Sequence, residues 1–273
     1  MTVSRSVYIV RIHPSAGENM RDFKLTRKSF RLRFHDLPGS DPPVLFVHGL
    51  GCSSSCDYPR VAADPALVGR RMLLVDLLGS GFSDRPKDFG YTVEDHAKTL
   101  VELIEGLSLP SVDLIGHSMG GAIAIVVPAQ NPRGVRRLVL SEPNLDAGGG
   151  AVSQLIAQQS EADYVTSGHS ELVQNSAADG YTIWSASLLM SSPLAVHRGA
   201  TSLLCGGSTS WREQLVALQI PRTVIFGANS LPDPDTELLP QAGVTVRVVS
   251  DAGHAMMLEN PSMFAEVIRD ALS

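Results

Sequence analysis

Cysteine is scarce in this sequence, and its three thiols suggest no covalent framework. Cys52, Cys56 and Cys205 are too few and too irregularly spaced, in a chain of 273 residues, to predict a set of disulfides. No second pair of soft ligands accompanies Cys52 and Cys56, whereas a closed zinc site needs about four ligands. We therefore expect unpaired thiols and no metal.

Long apolar runs and blocks of basic charge are also missing. No stretch approaches the ~18 apolar residues of a membrane span, and residues 6–12 lack the long apolar core of a targeting signal. The net charge is −6, with both signs dispersed. Because nucleic-acid and anionic-membrane surfaces need clustered Lys and Arg, neither partner is expected. We expect a cytoplasmic protein that acts on a small-molecule substrate, and a homodimer is one possible oligomeric state.

What the sequence does contain is an alternation of short apolar runs and helical patterns. Hydrophobic residues make up 44% and charged residues 18% of the chain, a mix that can bury a sizeable core. This alternation predicts an α/β fold with a mostly parallel eight-stranded sheet, helices on both faces and an antiparallel edge. The predicted strands are residues 7–12, 30–34, 44–47, 72–75, 112–115, 138–140, 223–226 and 244–249.

One long stretch interrupts the alternation. Residues 146–219 show helical patterns but no buried strand, and they are too many for a loop in a compact domain. We interpret them as a helical cap, or lid, inserted into a core domain made of residues 1–145 and 220–273. The alternative is a longer run of helices that pack on the core. Elsewhere, residues 93–107 and 260–272 carry helical stripes, and His96 falls on the polar face of the first.

A nucleophile motif follows the predicted strand 112–115. The sequence Gly-His-Ser-Met-Gly-Gly at residues 116–121 opens a helical pattern. A sharp strand-to-helix turn would hold Ser118 in a strained conformation and expose its hydroxyl at the edge of the sheet, with Gly116 and Gly120 letting the backbones pass. The free N–H groups of the helix would favour negative charge developing nearby. The alternative is a tight turn with an incidental serine.

A second glycine-containing loop follows the predicted strand 44–47. Residues 47–51 read Val-His-Gly-Leu-Gly, and such a loop can lend a backbone N–H to an oxyanion. The amides of Leu50 and Met119 are the expected donors. For His48 we favour a structural, hydrogen-bonded role over proton transfer.

The candidate general base is His254. It follows the last predicted strand, on the loop Asp-Ala-Gly-His at residues 251–254. A base at this end of the sheet can reach a nucleophile that lies at the end of another strand. Of the eight histidines, only this one lies on a glycine-flanked loop after a terminal strand. His117 is expected to pack beside the sharp strand-to-helix turn at Ser118, the nucleophile elbow.

Together these motifs resemble the α/β-hydrolase superfamily, in particular its small members with an inserted cap. The resemblance covers nearly the whole chain outside the lid and implies a Ser–His–acid triad and hydrolysis without a cofactor. The motifs are His48-Gly49, the run Asp-Leu-Leu-Gly-Ser-Gly-Phe-Ser-Asp-Arg-Pro at residues 76–86, the elbow at Ser118, and Gly253-His254 followed by Glu-Asn-Pro at residues 259–261.

The acid of the triad departs from the common pattern of that superfamily. Most such enzymes carry an aspartate shortly after the seventh strand, where this sequence has Ser230. Asp233 and Asp235 follow in a Pro-containing loop, while Glu142 directly follows the sixth strand, where certain haloalkane dehalogenases carry their acid. We favour Glu142, because it stands on the rigid strand end, and retain Asp233 and Asp235 as alternatives.

The expected reaction is hydrolysis of a small or medium organic ester through an acyl-enzyme. A serine at position 118 argues against the dehalogenase and epoxide-hydrolase subgroups, which need a carboxylate there. The same triad would serve carbon–carbon bond hydrolysis of a diketone, lactone hydrolysis or perhydrolysis, and a ligand-binding receptor on this scaffold is another alternative. Trp184 and Leu188 in the lid are candidate substrate-binding residues, or else belong to the core of the lid.

Overall fold

The computed structural model describes residues 20–26 and 30–273. The predicted strand 7–12 lies outside these ranges. In the described part the chain forms one eight-stranded sheet in the order β1-β2-β4-β3-β5-β6-β7-β8. The strands are β1 (Met20–Lys24), β2 (Arg31–Leu37), β3 (Ser40–Val47), β4 (Arg70–Asp76), β5 (Val112–His117), β6 (Val135–Ser141), β7 (Arg222–Gly227) and β8 (Thr245–Val249).

The sheet is mostly parallel, as predicted. Strand β2 pairs antiparallel with β1 and β4, and every other pairing is parallel. The edge strand β1 was not among the predicted strands. Its sequence, Met-Arg-Asp-Phe-Lys, leaves three residues exposed and two half-buried. Such an edge strand has no continuous apolar run to reveal it.

Helices cover both faces of the sheet. Leu45 and Val47 belong to the core under the longer helices α3 and α4, whereas Val44 and Phe46 face the opposite core with α13. The helices are α1 (Ser54–Asp57), α2 (Pro59–Ala62), α3 (Val93–Gly106), α4 (Met119–Gln130), α5 (Ala151–Ala157), α6 (Glu161–Asp163), α7 (His169–Ala178), α8 (Thr182–Leu189), α9 (Pro193–Cys205), α10 (Trp211–Ala217), α11 (Asp235–Gln241), α12 (Met256–Glu259) and α13 (Pro261–Ala271). Within the described ranges, no helix is long and apolar enough to cross a membrane.

Helices α5–α10 all lie between β6 and β7. Part of this segment has a buried cluster of its own, made of Ile156, Tyr164, Val173, Leu188, Val196 and Ala200. Trp211 of α10 instead joins the main core. The last helix before β7 therefore packs as part of the sheet domain, and the division at residue 219 stays a prediction.

A carboxyl group is buried beside the loop that follows β3. Asp57 of α1 is 3% exposed, and its Oδ2 has no hydrogen-bond partner among the described residues. Burial raises the pKa of Asp57 to about 7, helped by the nearby Asp76 charge and opposed by a hydrogen bond from the Cys52 thiol. Asp57 is thus partly protonated near neutral pH.

We expect Asp57→Asn to stabilise the protein at high pH only. Between about pH 4 and pH 7 the folded chain retains a proton on Asp57 that the unfolded chain releases, so the free energy of unfolding falls as the pH rises through this window. Asparagine removes this loss. Calorimetry should show a Tm close to wild type at pH 5 and higher by about 2–6 °C at pH 8.

The matched control is Asp179→Asn, because Asp179 is exposed at the C-terminal end of α7. It should shift the Tm equally at both pH values. A Tm of Asp57→Asn at or below that of the wild type at pH 8 would contradict the assignment.

Candidate active site

The turn from β5 into α4 holds Ser118 in a strained conformation. Its backbone has φ 53° and ψ −120°, in a region that non-glycine residues rarely occupy. The Ser118 N–H donates to the Ser141 carbonyl of β6 at 3.0 Å, and the residue is half-buried. The side chain is therefore carried by a fixed backbone at the carboxyl edge of the sheet.

Two glycines make this turn possible. A Cβ atom on Gly120 would lie 2.4 Å from the His48 carbonyl oxygen, and one on Gly116 would lie 2.4 Å from the Gly120 carbonyl oxygen. Neither position tolerates a side chain without backbone movement. The Gly-x-Ser-x-Gly spacing thus reflects close backbone contact between the elbow and the loop after β3.

His48 is a structural residue in this loop. It is fully buried, its Nδ1 donates to the Gly49 carbonyl at 2.8 Å, and its Nε2 accepts from the Leu77 N–H at 3.0 Å. Burial lowers the pKa of His48. A neutral imidazole with both nitrogens engaged ties the loop to the end of β4.

The two expected oxyanion donors adjoin the same space. Leu50 and Met119 line one small cavity, and their side chains both approach Gly199 of α9. Neither amide has a backbone acceptor among the residues that the structure describes. Met119 begins α4, so its N–H lies in the first turn, where helical N–H groups have no partner within the helix. Both amides are therefore available as donors.

His254 and Glu142 are in direct contact. The His254 Nδ1 lies 2.7 Å from Glu142 Oε2, and the Gly227 N–H donates to Glu142 Oε1 at 2.9 Å. Burial raises the pKa of Glu142, but hydrogen bonds from His254, Gly227 and Ser230 outweigh this effect. The pKa of the Glu142 carboxyl therefore lies below its ordinary value. An ionised carboxylate beside Nδ1 fixes the imidazole with its Nε2 available as a base.

The other two acids are engaged elsewhere. Asp233 accepts the Asp235 N–H at 2.8 Å and so shapes the start of α11. Asp235 pairs with Arg212 at 2.6 Å. The structure thus brings Glu142, and neither aspartate, to His254.

The loop that carries His254 is held on several sides. Asp251 has φ 52°, the Gly253 N–H donates to Glu259, and Asn260 Nδ2 donates to the Ser250 carbonyl at 2.8 Å. On the elbow side the His117 ring packs against His254, with ring centroids 4.6 Å apart. Burial lowers the pKa of His117 to about 3, so its ring is neutral. The His254 side chain remains 56% exposed.

The two substrate-binding candidates in the inserted helices, Trp184 and Leu188, differ in their surroundings. Trp184 is half-buried and its indole N–H donates to the Leu50 carbonyl at 3.2 Å. Leu188 is fully buried within the cluster of the inserted helices, beside Gly51. Its role, in substrate binding or in the core of the inserted helices, stays a prediction.

Sequence reasoning missed two residues that support the site, Gly227 and Ser230, and predicted the wrong surroundings for a third, His96. Gly227 and Ser230 hold the Glu142 carboxylate, and Ser230 stands where an acid was sought. His96 was predicted on the polar face of α3, which is wrong, because it is 3% exposed. The Val93 N–H in the same helix turn donates to Ser202 Oγ of α9 at 3.1 Å, so this side of α3 is also covered. In the described part of the chain, no cluster of three His, Cys, Asp or Glu side chains could hold a metal ion.

A family model described as alpha/beta hydrolase fold matches residues 42–261. The chain belongs to the alpha/beta hydrolase fold family. The matched range contains the elbow, the loop after β3, Glu142 and His254. It also contains the helices between β6 and β7.

The chain is similar to hydrolases, esterases and lactonases. A 2-hydroxymuconate semialdehyde hydrolase of Pseudomonas putida is 32% identical over 111 residues, 41% of this chain and 39% of that protein. The chain therefore spans about two fifths of that relative. Among solved structures, an esterase from Exiguobacterium antarcticum has a TM-score of 0.77 at 21% identity, over 92% of this chain and 99% of that one. An N-acyl homoserine lactonase complexed with N-hexanoyl homoserine lactone has a TM-score of 0.73 at 20% identity, over 93% and 98%. At these identities the two structures show the fold alone.

We expect Gly120→Ala to destabilise this hydrolase fold strongly. The added Cβ would meet the His48 and Val47 carbonyl oxygens at 2.4 and 2.5 Å, so the first turn of α4 would have to move away from β3. Thermal unfolding should show a loss of at least about 5 °C in Tm. The matched control is Gly150→Ala, which has no heavy atom within 4 Å of the added Cβ and a φ of −92°. A wild-type Tm for Gly120→Ala would refute the close contact.

Proposed function

We propose that the protein is a serine hydrolase that cleaves carboxylic esters of small or medium organic acids. Its nucleophile is Ser118, its general base is His254 and its acid is Glu142. The observation that carries the proposal is the 2.7 Å contact between His254 Nδ1 and Glu142 Oε2, at the same edge of the sheet as Ser118, whose φ is 53°. Family membership supports the same reaction class.

The proposed reaction has two halves. In the first, His254 Nε2 takes the hydroxyl proton of Ser118 as Oγ bonds to the ester carbonyl carbon, and His254 then protonates the departing alcohol. In the second, His254 takes a proton from water as the water oxygen attacks the acyl-enzyme, and Ser118 regains its proton as the acid is released. Glu142 stays ionised throughout and stabilises the imidazolium.

The negative oxygen of each tetrahedral intermediate is proposed to lie between the Leu50 and Met119 amides. Both N–H groups lack a backbone acceptor in the described ranges, and Met119 adds the positive end of α4. Donors held in place before the reaction stabilise developing charge without reorganisation, which is the largest contribution in many hydrolases.

The inserted helices are proposed to act as a cap over this site. The supporting observation is the hydrogen bond from Trp184 of α8 to the Leu50 carbonyl, which joins the insertion to the loop of the expected oxyanion donors. We place Trp184 at the substrate entrance and Leu188 behind it. A cytoplasmic location and a homodimeric state stay predictions from the sequence.

Carbon–carbon bond hydrolysis is a second candidate function. The favouring observation is the 32% identity with a 2-hydroxymuconate semialdehyde hydrolase, over a match that covers 39% of that protein. The two functions are distinguished by an activity screen across esters, lactones and β-diketones. Turnover of a p-nitrophenyl ester with inert β-diketones would favour the ester, and the reverse would favour the second candidate.

Ser118→Ala should abolish labelling by a fluorophosphonate probe. Such probes phosphonylate an activated serine, and alanine has no oxygen to modify. Labelling is measured by fluorescence after denaturing electrophoresis. Ser108→Ala is the control, because Ser108 also has a positive φ, of 54°, but lies at the end of α3. Persistent labelling of Ser118→Ala, or no labelling of the wild type, would exclude Ser118 as the nucleophile.

Glu142→Gln should lower kcat by about 10²–10⁴-fold, because the amide cannot stabilise the charged imidazole. Asp233→Asn keeps an acceptor for the Asp235 N–H and should change kcat less than about threefold. Both are measured on p-nitrophenyl acetate at saturating substrate. A large loss in Asp233→Asn with Glu142→Gln near wild type would reverse the assignment of the acid.

A further inference from the structure

His117, the residue before the expected nucleophile, packs against the candidate general base. The centroids of the His117 and His254 rings are 4.6 Å apart, and the two ring planes are inclined by 49°. His117 is only 4% exposed, whereas the side chain of His254 is 56% exposed. An exposed base therefore rests against a buried ring, and the reaction proposed above gives that ring no role.

The His117 ring is held between the two strands that flank β5. Its Nδ1 lies 3.1 Å from the Ser141 carbonyl oxygen at the end of β6. Because a carbonyl oxygen only accepts, Nδ1 is the donor in this bond. On the other side, a Cβ atom added to Gly49, in the loop after β3, would lie 3.2 Å from Cδ2 of the His117 ring. The ring therefore has little freedom to turn.

The orientation of His254 needs more than its bond to Glu142. That bond holds Nδ1 at 2.7 Å from the carboxylate, but an imidazole held at one atom can still tilt about it. General-base catalysis requires Nε2 to point at the hydroxyl that it deprotonates, and a small misplacement of a reacting group has a large effect on rate. A rigid ring in contact with His254 limits this tilt.

The contact is useful only if His117 carries no charge. His254 becomes positive during the reaction, and a second positive charge beside it would oppose that step. Burial lowers the pKa of His117 to about 3, and the neighbouring His254 and His48 act in the same direction. The bond to Ser141 and the Glu142 charge act in the opposite direction and are outweighed. His117 is therefore neutral near neutral pH.

We propose that His117 is a positioning residue, whose buried ring fixes the imidazole of His254 for proton transfer. The proposal rests on the proposed function, since it takes His254 as the general base and Ser118 as the nucleophile. His117 acts through His254 and not on the substrate. The surface of the ring carries the effect, and the hydrogen bond to Ser141 serves to hold the ring.

Two variants separate the ring from its hydrogen bond. His117→Phe keeps a flat ring beside His254 and loses the donor, whereas His117→Gln keeps a donor for the Ser141 carbonyl and loses the ring. On p-nitrophenyl butyrate, kcat should fall less than about fivefold in His117→Phe and about 30–100-fold in His117→Gln, with KM within about twofold of wild type in both. Rates are expressed per site labelled by the fluorophosphonate at its end point, so misfolded protein is not counted.

A change of leaving group tests the proton transfer itself. Ethanol must receive a proton from His254 as it departs, whereas p-nitrophenolate leaves without one. In His117→Gln, kcat/KM should therefore fall at least about fivefold more on ethyl butyrate than on p-nitrophenyl butyrate. His35→Leu is the matched control, because His35 is half-buried in β2 and pairs with Ser55 at 3.1 Å. It should keep the wild-type kcat and the wild-type ratio between the two esters.

The outcomes distinguish this inference from the proposed function. If the wild type is labelled and turns over esters, an unchanged kcat in His117→Gln would overturn the positioning role and leave the triad intact. A low kcat in His117→Phe with His117→Gln near wild type would also overturn it, and would assign His117 to holding the end of β6. Equal losses in both variants with an unchanged leaving-group ratio would overturn it as well. A wild type with neither labelling nor turnover would remove the proposed function and the role of His117 with it.

Discussion

The close approach of α4 to the loop after β3 is the constraint on which the site depends. Gly120 lies against the His48 carbonyl so closely that residue 120 cannot carry a Cβ. With α4 at this distance, the chain must turn sharply after β5, and Ser118 takes a positive φ. Such a backbone costs about 1–3 kcal/mol. Burial of every residue from Met119 to Pro128 in α4 offsets it.

The acid is held by the neighbouring strands of the same sheet. The Ser118 N–H donates to the Ser141 carbonyl, and the Glu142 N–H donates to the Ile225 carbonyl, so β5, β6 and β7 set the two positions by backbone bonds. Desolvation opposes ionisation of Glu142, but three hydrogen-bond donors hold it anionic. The charge beside His254 is therefore supplied by the sheet and not by the loop that contains Asp233.

Local patterns predicted the sheet and the elbow well, and failed where contacts between distant segments decide. The inner strands and Gly-x-Ser-x-Gly have strong local signals, whereas β1 is polar and is defined by its pairing with β2. His96 was assigned to a polar helix face because the cover that α9 adds to α3 is not visible in the periodicity of α3. The choice between Glu142 and Asp233 likewise depends on how a loop folds, and the sequence allowed only a preference based on strand-end rigidity.

The hydrogen bond from the Trp184 indole of α8 to the loop after β3 gives the protein an intrinsic fluorescent reporter of that loop. The protein has two tryptophans. Trp211 is sealed in the main core, whereas Trp184 is half-buried and bonded to the Leu50 carbonyl, one peptide from an expected oxyanion donor. Emission that responds to a ligand therefore originates mainly at one end of the inserted helices. The loop after β3 and the inserted helix α8 can therefore be followed together, without an added dye.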